Sequence, residues 1–385
     1  LCQGKSGVSR ITHFDASAFE TQIAAEGKGF QPEDFLDKKR IRRTDLFTQY
    51  ALAATQIAID DSGIIIDGGN ACRTGVILGT CAGGLVIFEK NIAAFLEGGL
   101  GSISPFLVPM FIPNMGASEV AIVFRAKGPS RCVSTACATG GHAIGDAFRF
   151  IQHGEADTMI AGGAEAGLIP TIIGALSKLK ALSTRNDEPE KASRPFDKNR
   201  DGFVSAEGAG ILILEELGMA RRRGAKIYAE LVGFGSNTDA YHAVKSDYES
   251  QARCMKLALD DAGILPSQLD YINAHGTSTH LNDLAETMAI KLALGPHSKK
   301  VLISSNKSMI GHSWGAAGAI EAVFTALTMR DNIVPPTINY EVPDPECDLD
   351  YVPNIARKAE VEFALSNSFG FGGTNSVLVF KKFHQ

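Results

Sequence analysis

The chain has 385 residues, with 37 Lys and Arg against 43 Asp and Glu, and so a formal net charge of −6. Hydrophobic residues at 45% and charged residues at 21% describe an ordinary globular protein, and exclude a disordered tail, a collagen-like repeat or a dedicated nucleic-acid binder. Its 40 glycines point to many tight turns and close backbone approaches rather than to one flexible linker.

The seven cysteines are scattered without CxxC pairs, which argues against a disulfide scaffold or a structural zinc. The longest stretch without charge, 98–118, is interrupted by Pro105, Pro109 and Pro113 and makes a poor membrane span. The opening LCQGKSGVS has neither an initiator Met nor the basic and apolar regions of a secretory signal, so the reading expects a missing N-terminal piece.

In chain order, GVILGT (75–80), RCVST (131–135), DTMIAGG (157–163), LDYINAHG (269–276) and VLISS (301–305) are short apolar runs closed by small residues, as buried parallel strands are. Between them lie helical patterns. Ile144, Ala147, Phe148 and Ile151 recur at helical spacing and Gly154 is placed to end that helix. The charged, Pro-bearing span 185–201 reads as a long surface loop. Arg221 to Arg223 with Gly224 read as a helix end, and a soft boundary there divides the chain into 1–224 and 225–385. In the second half Leu257, Leu259 and Ala262 precede LDYINAHG. Leu281, Leu284, Met288 and Leu292 share one helical face after it. The pattern is α/β, with two similar halves that suggest an internal duplication.

Chemistry concentrates at three places. Cys137, in RCVSTACATGGHAIGDAFRF, follows a strand through a small-residue turn and precedes an amphipathic helix, whose N-terminus would lower the thiol pKa and offer an oxyanion site. Cys132, inside the strand, is assigned to the core. His275 closes the strand of LDYINAHG, and His312 lies in NKSMIGHSWGAAGA between a strand end and an Ala/Gly-rich helix. All three sit at strand C-terminal ends, the edge where open α/β sheets bind ligands. A zinc site of Cys and two His competes with this reading, but its ligands lack metal spacing and a nearby carboxylate. Lys307 and Glu321 flank His312 and read either as a charged pair that tunes it or as ordinary surface residues. The glycines of SNSFGFGGTNSVLVF lie between two strand-like runs with no following helix, so they fail as a dinucleotide fingerprint. A glycine hairpin bearing Phe369 and Phe371, gating an apolar channel, fits better.

Taken together, STACATGG, INAHGTST, NKSMIGH, GAAGAIE and SNSFGFGGTN, in that order, resemble the condensing enzymes of the thiolase superfamily, in the 3-oxoacyl-[acyl-carrier-protein] synthase II family. The likeness runs nearly the whole chain. It implies a thiolase-like, duplicated αβαβα layered α/β fold with mixed sheets. It also implies a decarboxylating condensation of an acyl group with a malonyl thioester in fatty-acid elongation, with the ketosynthase of a type II polyketide or other specialised pathway as the alternative. A non-catalytic chain-length partner subunit and a degradative thiolase are weaker readings.

By the same resemblance Cys137 is the acylated nucleophile, and His275 and His312 are the paired imidazoles. Lys307 and Glu321 support the His312 loop, and the N–H groups of Cys137 and Phe371 form the oxyanion hole. Thr277 and Thr279 match residues that hydrogen-bond phosphopantetheine, which arrives on the carrier protein, so no resident cofactor or metal is expected. Ala82, where a bulkier aliphatic residue is common, would widen the acyl pocket. Lys38, Lys39, Arg42, Arg43 and Lys180 are candidates for docking an acidic acyl carrier protein. The family also implies a homodimer, in a bacterial cytoplasm or an organelle stroma or matrix. The sequence departs from the family pattern at His280 and Asn282, and at Ser313 and Trp314 in place of two apolar residues. The resemblance also implies that the first core strand precedes this sequence.

Overall fold

The computed structural model describes residues 1–384. Nine strands make its two main sheets. The first holds β1 (Thr74–Gly79), β2 (Ser130–Val133), β3 (Thr158–Glu165) and β4 (Gly208–Glu215) in the order β2-β1-β3-β4. The second holds β5 (Ala229–Thr238), β6 (Tyr271–Asn273), β7 (Leu302–Ser304), β8 (Phe363–Gly370) and β9 (Thr374–Lys382) in the order β5-β9-β8-β6-β7. Strand β1 runs parallel to β2 and β3, and β4 returns antiparallel to β3. In the second sheet β6 runs parallel to β7 and β8, and β9 returns antiparallel to β8. The two sheets thus repeat one pattern of order and direction. Only β5, antiparallel to β9, has no counterpart among the described residues.

Helices α1 (Leu46–Ser62), α2 (Leu85–Gly98) and α3 (Met115–Phe124) belong to the first half, and α4 (Thr139–Gln152) leaves the nucleophile turn. The second half adds α5 (Tyr248–Ala262), α6 (His280–Leu294) and α7 (Ala317–Asp331). Helices α4 and α7 lie side by side between the sheets, α1 and α3 cover the outer face of the first sheet, and α5 and α6 that of the second. The result is five layers, αβαβα, around shared apolar clusters. The middle layer is thin because of glycine. A Cβ on Gly140 would stand 2.5 Å from the Ala319 backbone nitrogen, and one on Gly79 would stand 2.2 Å from the Thr139 methyl. Only glycine lets these backbones approach so closely.

Two sequence expectations are corrected here, for Cys132 and for 185–201, and the structure also settles which way the apolar face of α6 points. Cys132 is half-buried on β2, an outer strand with two exposed residues, so it is not a core residue. On α6 the apolar stripe faces outward: Leu281 is 60% and Leu292 47% exposed, while Asp283, Glu286 and Thr287 are buried. Those polar groups have partners in the interior, and this outweighs the stripe. The span 185–201 is not a surface loop, because Ala192 to Asp197 enter the core. There Phe196 stacks on Tyr351 at 3.9 Å, and Asp197 accepts from the backbone N–H of Glu341 (2.8 Å) and Val342 (2.7 Å). Its backbone also braces the loop after His275, with Arg194 N–H donating to Ser278 Oγ at 2.9 Å.

Candidate active site

The parallel strands deliver Cys137, His275 and His312 to one place. Cys137 leaves β2 through a turn in which Ala136 takes the left-handed conformation (φ 51°). Thr139 Oγ1 accepts the Thr135 N–H at 2.7 Å and closes the turn before α4 begins. His275 lies two residues beyond β6, and His312 follows β7 and a short helical turn, Lys307–Ile310. The Cys137 sulfur and one ring nitrogen of each histidine all lie within 4.8 Å of one another. The imidazoles cross edge to face at 5.3 Å, Phe369 backs His275 at 5.9 Å, and Phe203 backs His312 at 5.3 Å.

Lys307 and Glu321 are no surface pair. Both are fully buried and form an ion pair. The Lys307 Nζ also donates to the His275 carbonyl oxygen at 2.6 Å and lies 3.4 Å from His275 Nδ1. Burial, with Lys307 alongside, holds both histidines well below their ordinary pKa. They are neutral at physiological pH. Burial pushes the Glu321 carboxyl up to about 7, against the pull of Lys307.

The thiol departs from the expected lowered pKa. Burial pushes Cys137 up to about 11, opposed by Lys307 and by the N–H groups of Phe371 and of Cys137 itself. Desolvation of the thiolate outweighs the donors around it. The same donors place two backbone N–H groups beside the sulfur. Phe371 sits in the turn joining β8 to β9, with Gly372 (φ 82°) and Gly373 (φ 73°), and its ring is 41% exposed. A Cβ on Gly370 would stand 2.7 Å from the Thr135 oxygen, so this hairpin lies directly on the nucleophile turn.

The remaining candidates spread outward. Thr277 is buried, and its hydroxyl is 2.9 Å from that of Thr279, which also caps α6 by accepting from Asn282 N–H. Ala82 is half-buried in the turn after β1. Lys38, Lys39, Arg42 and Arg43 are exposed around a short helix, with Arg43 over the Phe106 ring at 4.6 Å. Lys180 is exposed and paired with Glu20 at 2.7 Å.

Two buried carboxylates were missed by sequence reading. Glu286 accepts the N–H groups of His275 (2.8 Å) and Gly276 (2.7 Å) and the Asn367 amide (3.0 Å). Glu165 accepts the Thr80 hydroxyl (2.8 Å) and the N–H groups of Cys81 (2.6 Å) and Gly315 (3.1 Å), which ties the end of β1 to the His312 loop. The signal for Glu165 was a lone charge ending an otherwise apolar strand.

Known proteins share this arrangement of sequence and fold. The family profile described as "Beta-ketoacyl synthase, N-terminal domain" matches residues 1–220, and "Beta-ketoacyl synthase, C-terminal domain" matches residues 228–341. A "3-oxoacyl-[acyl-carrier-protein] synthase 2" of Coxiella burnetii is 53% identical, over 99% of this chain and 93% of the relative. One from Staphylococcus aureus (strain N315) is 49% identical over 99% and 92%. Among solved structures, a beta-ketoacyl synthase from Burkholderia phymatum superposes with a TM-score of 0.92 at 37% identity, covering 100% of this chain and 94% of that one. A type II polyketide ketosynthase in complex with its acyl carrier protein, "bound to the hexaketide", superposes with a TM-score of 0.91 at 37% identity, covering 100% and 93%. With both halves matched and half of its residues shared with relatives over almost its full length, the chain belongs to the beta-ketoacyl synthase family.

Proposed function

We propose that the chain condenses an acyl group with malonyl-acyl carrier protein, with loss of carbon dioxide, to give a 3-oxoacyl-acyl carrier protein two carbons longer in fatty-acid elongation. The observation that carries this reading is the convergence of one thiol and two neutral imidazoles within 4.8 Å. The Cys137 sulfur attacks the acyl thioester and the carrier thiol leaves, which divides one difficult condensation into two steps. The negative oxygen of each tetrahedral intermediate takes the N–H groups of Cys137 and Phe371.

Malonyl thioester then replaces the first carrier protein. The nitrogens of His275 and His312 that face the sulfur carry hydrogen and donate to the malonyl thioester carbonyl. Breaking the carbon–carboxylate bond releases carbon dioxide, and its electron pair forms an enolate that those donors stabilise. Lys307 suits His275 to this role: its N–H faces Nδ1, which leaves the ring proton on the opposite nitrogen. The enolate carbon attacks acyl-Cys137, and the sulfur leaves.

In this reading phosphopantetheine arrives with the carrier protein and passes Thr277 and Thr279, and no resident metal or cofactor takes part. Condensation therefore proceeds at full rate in excess chelator, and loss of rate on chelation refutes that assignment. The exposed Lys38, Lys39, Arg42 and Arg43 attract the carrier protein. The relatives at 49–53% identity favour elongation over the specialised polyketide reading, whose structural neighbours stand at 34–37%. The chain works as a homodimer. Strand β2 supports this, as an outer strand whose free edge can pair with a second copy.

Intact-protein mass spectrometry with acyl carrier protein thioesters of graded length tests the reading. Acyl additions are expected on the wild type and not on Cys137→Ala, with discharge by malonyl carrier protein as a product two carbons longer. Absence of acylation from every primer refutes it. In the same assay Ala82→Ile shifts the preference toward shorter primers, and an unchanged profile removes Ala82 from the pocket.

A further inference from the structure

The two histidines of the site are held in different ways. His275 has Lys307 Nζ 3.4 Å from its Nδ1, a polar neighbour that fixes the turn of the ring. Both ring nitrogens of His312 are buried without a partner among the described residues. Phe203 and His275 pack against the His312 ring at 5.3 Å each, and beyond those contacts its aim depends on the backbone that carries it.

That backbone has a support on either side. Before the loop, His312 N–H donates to the Val204 oxygen at 2.7 Å, and Ala206 N–H donates to the His312 oxygen at 2.9 Å. After His312 the chain rests on the end of β3. Gly315 N–H donates to Glu165 Oε2 at 3.1 Å, which is the one side-chain hydrogen bond to residues 312–316 among the described residues. A Cβ on Gly163 would stand 2.8 Å from the Gly315 oxygen, and one on Gly167 would stand 2.1 Å from a carbon of the Trp314 ring. Between the two supports Trp314 is held at φ 47°, a left-handed conformation that a bulky residue keeps only where its surroundings impose it. A loop held in this way relaxes when one support is removed.

Glu165 is matched to its part in the second support. Its side chain is fully buried, and three donors face it. One oxygen takes the Thr80 hydroxyl at 2.8 Å, and the other takes Cys81 N–H at 2.6 Å together with Gly315 N–H. Thr80 Oγ1 accepts the Gly83 N–H in turn, at 3.1 Å. An ionised carboxylate only accepts, so it suits a set made of donors, and those donors offset the cost of burying it. Thr80 and Cys81 follow β1, and Glu165 ends β3, which pairs with β1. The first sheet therefore holds the carboxylate, and the carboxylate holds the loop.

We propose that Glu165 is a positioning residue for decarboxylation, which anchors Gly315 to the first sheet and so aims the His312 imidazole at the malonyl thioester carbonyl, an inference that rests on the function proposed above. Acylation of Cys137 draws on its own N–H and that of Phe371, and not on His312. The two half-reactions thus separate this role from a general one in folding. A displacement of about 1 Å at a reacting group can cost about a hundredfold in rate.

The test times Cys137 acylation and its discharge by malonyl carrier protein separately, by intact mass, in the wild type, Glu165→Ala and Glu165→Gln. Alanine removes the acceptor. Glutamine keeps one oxygen for the two N–H groups, while the Thr80 hydroxyl turns to accept from its amide. Glu165→Ala is expected to acylate within about threefold of the wild-type rate and to discharge slower by about tenfold or more, whereas Glu165→Gln keeps the wild-type ratio of the two rates. In a His312→Asn background, Glu165→Ala is expected to slow discharge by less than about threefold further. An unchanged ratio in Glu165→Ala, or a further loss of about tenfold in the His312→Asn background, overturns the proposal while leaving the condensing reading intact. If Glu165→Ala does not fold, Glu165→Asp, which withdraws the carboxylate by one methylene, decides. Discharge slowed relative to acylation supports the proposal, and an unchanged ratio overturns it. A wild type that acylates but is never discharged by malonyl carrier protein overturns the condensing reading and this proposal together.

Discussion

In the proposed reaction His275 and His312 donate as neutral imidazoles, and their burial beside Lys307 keeps them uncharged. The same shift has a consequence for stability. Below pH 6.5 an unfolded histidine binds a proton that the folded one refuses, so stability is full above that pH and falls as the pH drops, by up to about 1.4 kcal/mol per pH unit for each histidine. Denaturant unfolding at pH 5.5 and 7.5 is expected to show a smaller loss in His312→Asn than in the wild type, by about that amount. Equal losses would mean that His312 is protonated in the folded protein. At this scale the chemical residues were legible in the sequence, because Cys137, His275 and His312 stand in short runs of small residues at strand ends. Their electrostatic state was not. The raised thiol and the fully buried Lys307 with Glu321 depend on desolvation by segments far away in sequence.

Helices α4 and α7 decide whether the thiol and the Glu321–Lys307 pair keep their spacing, since α4 starts just after Cys137 and α7 carries Glu321. Their backbones touch through glycine. A Cβ on Gly140 would stand 2.5 Å from the Ala319 nitrogen, and one on Gly318 would stand 2.8 Å from the Gly141 nitrogen. Gly140→Val is therefore expected to destabilise the fold by about 1–3 kcal/mol or more, since backbone yields less readily than side chain, and to slow Cys137 acylation. An unchanged melting temperature would show that the two helices can separate freely. The strand runs, the α4 helix and the shared face of Leu281, Leu284, Met288 and Leu292 on α6 were visible as periodicity, while the outward orientation of that face was not. Periodicity reports which residues share a face, but not whether Asp283, Glu286 and Thr287 on another face find partners that make it the buried one.

Across the whole molecule a net charge of −6 coexists with an exposed basic group at Lys38, Lys39, Arg42 and Arg43, whereas Lys180 is neutralised by Glu20. If that group docks an acidic carrier protein, replacing Lys38 and Lys39 by Glu raises KM for the carrier protein about tenfold, with kcat nearly constant and the effect shrinking at high salt. A change in kcat alone would place the patch elsewhere in the cycle. Sedimentation equilibrium is expected to give twice the chain mass, and a monomer would leave the free edge of β2 without the proposed partner.

The sequence by itself determined the α/β class, the strand ends that carry the chemistry and the order of the motifs, since each is a local pattern of residue size and polarity. The matching order of the two sheets and the burial of 192–197 were decided only by tertiary structure. So were the roles of Glu165 and Glu286 as acceptors that lock the active-site loops. A buried carboxylate is stable only where several donors from distant segments converge on it, and such convergence exists only in the folded chain.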